Sequence, residues 1–246
     1  VKGSLLEQDY QQLVNVLLQE KTELVSKADN EKSDMLDYYT LWAHQIKTPI
    51  AAMRLLLQTN EVNNSEEIAM ELFKIEQYVE MVLQYVRLGS DTSDYLLKKY
   101  KLEDIVKQGI RKYAKLFIKK KISLEFSPIS YQVITDEKWL LFVIEQILFN
   151  ALKYTNEGKI SIYMERNSVL VIEDTGIGIQ SEDLPRVFEK GFTGYNGRND
   201  KKSTGLGLYL CKRILTKLSH EITIESQVGK GTKVMIGLNQ EHRVFE

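Results

Sequence analysis

Cysteine is nearly absent from this 246-residue sequence: Cys211 stands alone, which excludes an internal disulfide and fits a reducing compartment. Its setting, LGLYLCKRIL, is apolar-periodic and predicts a buried packing thiol rather than a reactive one. Net charge is missing too. With 33 Lys and Arg against 34 Asp and Glu the balance is −1, so no basic field marks nucleic acid or an anionic membrane as a partner. No apolar run approaches the roughly 20 residues that cross a bilayer. The longest, WLLFVI at 139–144, stops at Glu145, and the opening VKGS does not begin a secretory signal. These absences predict a chain that is soluble by itself. Its start, directly on a helical pattern, fits the cytoplasmic, soluble part of a membrane protein. Fixed-period repeats and low-complexity segments are also absent. What remains is an ordinary globular composition, 43% hydrophobic and 27% charged, long enough for one large or two modest domains.

Proline and glycine are scarce over residues 1–90, where only Pro49, Gly3 and Gly89 occur, and this stretch reads as long helices. Leu6, Tyr10, Leu13, Leu17 and Leu24 follow heptad spacing. The segment 26–34 is nearly all polar, and the frame then resumes with an offset. From there Met35, Tyr39, Trp42, Ile46, Pro49, Met53 and Leu56 step by alternating fours and threes. The pattern predicts a weak coiled coil over 1–30 feeding a stronger packed helix. The run 59–64 breaks it, and Asn64 with Glu67 resembles a capping box. A second helix follows, with Ile68, Leu72, Ile75, Val79, Val82 and Val86 on its seam and Gly89 at its end. A lone hairpin cannot bury two such seams, whereas a dimer closing a four-helix bundle can. A plain coiled-coil dimeriser would explain this region equally well.

Residues 91–100 read as a polar linker. Beyond it, helical patterns at 102–120 and 137–154 alternate with strand-like runs at 122–126, 131–135, 159–163, 169–173, 221–225 and 233–238. Hairpin turns fall at 166–168 and 227–231. Adjacent strands joined by short turns, with helices elsewhere, predict an α+β sandwich.

Three stretches of this second half carry chemistry. DTGIG at 174–178 follows a buried-looking strand. There a carboxylate can accept from an exocyclic amine, and Gly176 and Gly178 let backbone approach a flat ligand. STGLGLYL at 203–210 places glycines before an apolar-periodic helix, whose first N–H groups and dipole favour an anion. It is no P-loop, since no Gly-Lys-Ser/Thr follows, and glycines there serve equally as plain helix capping. In EQILFNALKY at 145–154, Gln146, Asn150 and Lys153 share one helix face. Amide oxygens suit Mg²⁺ and the lysine suits phosphate, although such a polar face often only meets water. Between the first two stretches, 188–202 carries Lys190, Arg198, Lys201 and Lys202 among three glycines and reads as a lid over phosphates or as a surface loop.

The helical half holds HQIKTP at 44–49. His44 lies between seam positions Trp42 and Ile46 and so points to solvent. Pro49 frees the Gln45 carbonyl and should bend the helix, at a cost of about 3 kcal/mol. An exposed imidazole beside such a bend is a nucleophile for a phosphoryl group.

Together, in this order and spacing, the stretches resemble the bacterial sensor histidine kinases over residues 30–240. The run 44–49 resembles the phosphoacceptor box and 146–154 the asparagine box. The runs 174–178 and 204–208 resemble the two glycine boxes, and Phe188 stands as the phenylalanine box. EKGFTG at 189–194, NGR at 196–198 and STG at 203–205 are similar to the intramembrane-sensing kinases that work beside peptide-antibiotic ABC transporters. Membrane helices of that subgroup would precede Val1 and would carry any contact with a transporter.

The resemblance implies a dimeric helical hairpin over 31–92 followed by a Bergerat-type α/β sandwich over 97–240 that binds ATP and Mg²⁺. It makes Asp174 the acceptor of the adenine amine, with Gly176, Gly178 and Thr232 on the same side and Tyr154 against the base. Lys153 and Lys190 would lie near phosphate, and Thr204, Gly205, Leu206, Gly207 and Leu208 would cradle it. Asn150, with Gln146 before it, would bind the metal. His44 would attack the γ-phosphorus and pass the phosphoryl group to an aspartate of a response-regulator receiver domain. Thr48 would position water for the reverse, phosphatase reaction. Two positions depart from the family. Gln45 replaces the acidic residue that usually follows the acceptor histidine, and Gln146 replaces an asparagine. The first leaves room for a dimeric nucleotide-binding scaffold with weak or lost autokinase activity. The second argues against an ATP-hydrolysing relative, because an amide cannot activate water.

Overall fold

The computed structural model describes residues 5–58, 64–89, 95–166, 168–194 and 205–238. By its contacts the chain divides into two compact units, Val1–Val79 and Glu80–Glu246.

The first unit is built from α1 (Leu5–Gln58) and the first part of α2 (Asn64–Gly89). The polar segment 26–34 and Pro49 lie inside one continuous α1, because good helix formers on either side outweigh one missing N–H. The two helices are tied where the Trp42 indole Nε1 donates to Tyr78 O at 3.1 Å. Their packing corrects the expected seam. The most buried side chains of the unit are Tyr38, Gln45, Pro49 and Gln77, whereas Tyr39, Trp42, Ile46, Met53 and Leu56 are half-buried. On α2, Leu72 and Val79 are exposed. Within one chain the hairpin therefore buries Tyr38, Pro49 and two glutamines and leaves the rest of its apolar stripe half-buried or exposed. Upstream, Tyr10, Leu13, Leu17 and Leu24 are exposed along the same helix.

In the second unit, β1 (Lys98–Lys101) and α3 (Leu102–Lys120) are followed by β2 (Ser123–Phe126), β3 (Gln132–Thr135) and α4 (Glu137–Tyr154). Then come β4 (Lys159–Glu165), β5 (Val169–Asp174), α5 (Gly207–Lys217), β6 (Glu221–Gln227) and β7 (Gly231–Gly237). Five strands form one sheet in the order β2-β4-β5-β7-β6, antiparallel except for the β2–β4 pair. The expected linker is partly strand: β1 pairs antiparallel with β3 in a separate ribbon. Its sequence, KKYK, is too polar to announce a strand, and only Tyr100 is even half-buried.

The helices form the second layer, with α4 between α3, α5 and β5. This explains why α4 is apolar nearly all round, from Trp139 to Leu152. Asp136 starts it: Oδ1 accepts from the amides of Lys138 and Trp139 at 3.0 and 3.2 Å, and Oδ2 accepts from Leu96 N at 3.0 Å. Helix α3 crosses α4 at Gly109, where a Cβ would stand 3.1 Å from Ile144 Cγ2, so a larger residue would push the pair apart. Cys211 is fully buried, as its sequence setting predicts, and burial drives its thiol pKa up, away from reactivity. Among the described residues, no helix is long and apolar enough to cross a membrane.

Candidate functional site

Polar groups gather along the second half of α4. Midway along the helix, Gln146 is only 2% exposed. A Cβ on Gly207, the first residue of α5, would lie 3.1 Å from Gln146 Oε1 and 4.0 Å from Asn150 Nδ2. The two amides therefore meet the N-terminus of α5, whose opening N–H groups have no intrahelical acceptors. Leu206 is buried and caps the helix without a side-chain hydrogen bond, and Leu208 and Asn150 are half-buried. Gly205 adopts a left-handed φ of +66°, and a Cβ there would fall 2.4 Å from Gly191 C. That close approach joins the segments on either side of the 195–204 stretch. Thr204, Arg198, Lys201 and Lys202 lie outside the described residues.

At the C-terminal end of α4 stands Asp174, the last residue of β5 and 7% exposed. Burial pushes its carboxyl up to about 6, against the Gly176 amide that donates to Oδ1 at 2.8 Å and the Thr232 amide. The buried Thr155 hydroxyl also bears on the carboxylate, but its geometry falls short of a hydrogen bond. A desolvated acceptor beside an unsatisfied hydroxyl is the polarity an exocyclic amine and ring nitrogens would complete. Tyr154 and Lys153 lie alongside, the ammonium 5.1 Å from the Tyr154 ring centroid.

A Cβ on Gly176 would fall 2.5 Å from Tyr154 O, and one on Gly178, at φ +72°, would fall 2.1 Å from Gln227 O. The protein's own backbone alone is reason enough for both glycines. Ser226, which nothing in the sequence singles out, organises this corner. Its hydroxyl accepts from Ile179 N at 2.8 Å, donates to Gly231 O at 2.7 Å and lies 3.0 Å from Thr232 Oγ1. Thr155 was equally silent, since a threonine after a helix reads as an ordinary terminus.

The Lys190 ammonium lies 5.5 Å from the Tyr85 ring centroid, and the next residue, Gly191, donates its amide to Gly205 O at 3.1 Å. In the first unit His44 is exposed, as expected, while its neighbour Gln45 is 7% exposed and turned inward. The Thr48 hydroxyl folds back onto its own helix and donates to His44 O at 3.3 Å. Among the described residues no group of three or more His, Cys, Asp and Glu could hold a metal ion.

A sheet backed by helices, an acid at a strand end and a glycine-led helix facing an asparagine together define an ATP-binding domain. Residues 135–242 match the histidine kinase-, DNA gyrase B- and HSP90-like ATPase family. The chain is 34% identical over 203 residues to the sensor histidine kinase YxdK of Bacillus subtilis, across 80% of this chain and 62% of that protein. It is 34% identical over 230 residues to the sensor protein BceS of Halalkalibacterium halodurans, across 92% of this chain and 68% of that protein. The fold is similar to that of Acinetobacter baumannii histidine kinase AdeS, with a TM-score of 0.57 at 22% identity over 80% of this chain and 98% of that one. The chain belongs to the bacterial sensor histidine kinases of the BceS-like subgroup.

Proposed function

We propose that this chain is the kinase portion of a membrane-anchored two-component sensor, which phosphorylates His44 from Mg-ATP and hands the phosphoryl group to a receiver-domain aspartate. The observation that carries the reading is the convergence of Gln146 and Asn150 on Gly207, with the buried Asp174 carboxylate at the C-terminal end of α4. Positions 146 and 154 lie about 12 Å apart along a helix axis. That spacing suits the two ends of a nucleoside triphosphate.

In this reading Asp174 accepts the adenine amine, Thr232 and the turn at Gly176 and Gly178 wall that side, and Tyr154 lies against the base. Backbone N–H groups from Gly205 to Leu208 hold phosphate oxygens at the start of α5, supported by Thr204 and Lys153. Lys190, next to the Gly191 that bonds Gly205, would add its charge to them. The amide oxygens of Asn150 and Gln146 would hold Mg²⁺, which neutralises phosphate charge as the transferred group detaches. An imidazole nitrogen of His44 attacks the γ-phosphorus in line. The N–P bond forms, the bond to the ADP oxygen breaks, and the proton on the other ring nitrogen passes to solvent. Positioning and charge neutralisation supply most of the rate, so a chain with Gln45 in place of a base can still react.

The hairpin of residues 31–92 would dimerise, with 1–30 extending it as a coiled coil and 97–240 forming the catalytic domain. The exposed Leu72 and Val79 support a second copy. Phosphatase action through Thr48, a cytoplasmic location at the membrane and a transporter partner belong to the same reading, through the likeness to the BceS-like subgroup. The test is incubation with γ-labelled ATP. Label that is stable in alkali and lost in acid supports phosphohistidine; acid-stable label would exclude it.

A further inference from the structure

The last turn of α4 ends inside its domain, and its exposed carbonyls need donors. Thr155 N donates to Ala151 O at 3.0 Å, and Ile177 N donates to Tyr154 O at 3.1 Å. Leu152 O in that turn and Thr155 O just beyond it share one donor: the ammonium of Lys120, the last residue of α3, donates to Leu152 O and, at 2.8 Å, to Thr155 O. Lys120 is half-buried, and burial lowers its pKa with no carboxylate among the described residues to pull it back. Its charge is therefore directed wholly at the negative end of the α4 dipole.

The turn it holds is also the floor under Asp174. Gly176 packs so closely on Tyr154 O that a Cβ would fall 2.5 Å away, and its amide donates to Asp174 Oδ1 at 2.8 Å. Lys120, the α4 terminus, the glycine turn and the carboxylate thus form one bonded array. Helix α3 is itself held to α4 by the close crossing at Gly109 and by Lys112, which reaches Glu145 at 2.5 Å. These contacts lie midway along α4, beside Gln146, so the middle of the helix and its last turn have separate supports.

We propose that Lys120 is a positioning residue for the adenine side of the nucleotide site: its paired hydrogen bonds fix the last turn of α4 and, through Tyr154 O and Gly176, the aim of the Asp174 carboxylate. The inference rests on the nucleotide-site reading above. It requires an asymmetric effect. Loss of the ammonium should weaken recognition of the base and leave the metal-dependent part of binding unchanged.

The test is calorimetry on the whole chain with adenosine, with ATP, and with ATP plus Mg²⁺, for wild type, Lys120→Met, Lys120→Gln and Lys120→Arg. Lys120→Met keeps the apolar stem and should weaken adenosine and ATP about tenfold each, as the loss of charge-assisted hydrogen bonds implies. The ratio of ATP affinities with and without Mg²⁺ should not change. Lys120→Arg, which keeps charge and donors, should recover affinity to within about threefold. If Lys120→Met does not fold, Lys120→Gln against Lys120→Arg makes the same comparison. Unchanged adenosine affinity in a variant that merely melts earlier would overturn the proposal, leaving Lys120 a stability residue. Loss of the Mg²⁺ effect would overturn it as well, because α4 would then have failed along its whole length. Wild-type protein that binds neither adenosine nor ATP would sink the nucleotide-site reading itself, before any variant is compared.

Discussion

Gly207 turns the open side of its α-carbon to the Gln146 amide, and a Cβ there would stand 3.1 Å from Oε1. Gln146 is buried and cannot simply swing into solvent. Gly207→Ala should therefore push the amide toward Asn150 and weaken Mg-ATP binding by about tenfold, while helix propensity offsets the crowding by about 0.5–1 kcal/mol. Calorimetry and a melting curve on the same variant separate the two effects. A tight-binding Gly207→Ala would show that the junction does not hold phosphate. Gly176→Ala is expected to behave differently: its Cβ would meet backbone at 2.5 Å, so the fold itself should be lost or badly weakened.

Asp174 should make the ligand-free protein less stable at neutral pH than its amide variant. Its carboxyl is raised from 3.8 to about 6 by burial, so between those values the folded state holds a proton the unfolded chain has released. Its contribution is favourable below about pH 4 and is lost as pH rises through 6. The ionised form costs on the order of 2–3 kcal/mol. Asp174→Asn should raise the melting temperature at pH 7–8, and the gain should shrink toward pH 4. The same variant should bind adenosine poorly. His220 acts in the opposite sense, since burial lowers its pKa to about 4 and stability is lost as pH falls from 6.5 through that value. Comparing variant with wild type at each pH cancels the histidine. A flat difference across the range would refute the assignment.

His44→Ala should abolish acid-labile label without changing the melting temperature or ATP affinity, because the imidazole is exposed. His220 cannot take over. It is 3% exposed, and its Nε2 lies 3.3 Å from the Thr135 hydroxyl. Residual label on the variant, read after acid and alkali treatment, would mean a different acceptor.

Gln45→Glu puts a carboxylate where the side chain is buried, so it should cost about 1–3 kcal/mol of stability at neutral pH. A base beside the acceptor should at the same time speed single-turnover autophosphorylation by about tenfold, short of the roughly 10²–10⁴ of a well-aligned general base because this position is turned inward. The rate is measured well below the melting point so that the two effects stay apart. An unchanged rate in folded protein would show that the native site needs no base there.

The whole chain should sediment as a dimer, and Leu72→Glu with Val79→Glu should make it monomeric with its helix content kept. Both side chains are exposed on α2 within one chain. A wild-type monomer well into the micromolar range would contradict the bundle.

Local patterns determined a good deal of this protein. Helices α3 and α4 begin and end where their periodicities do, five of the expected strand runs pair in one sheet, and 174–178 and 203–210 stand out because glycines punctuate otherwise apolar text. Those signals are short-range, written in neighbours along the chain. The tertiary structure decided which groups meet. Gln45 and Gln77 are buried in the hairpin beside Tyr38 and Pro49 while most of the apolar stripe is not, since a single chain offers the stripe no second surface. Strand β1 exists only because β3 supplies hydrogen bonds that KKYK has no side-chain reason to seek. The roles of Thr155, Ser226 and Lys120 appear only when backbone carbonyls and amides distant in sequence are brought together, because hydrogen bonds to backbone leave no mark on residue type. The sequence names a nucleotide site through its glycines and amides; packing decides that those glycines are required by neighbouring carbonyls and that one lysine closes the helix beneath the acid.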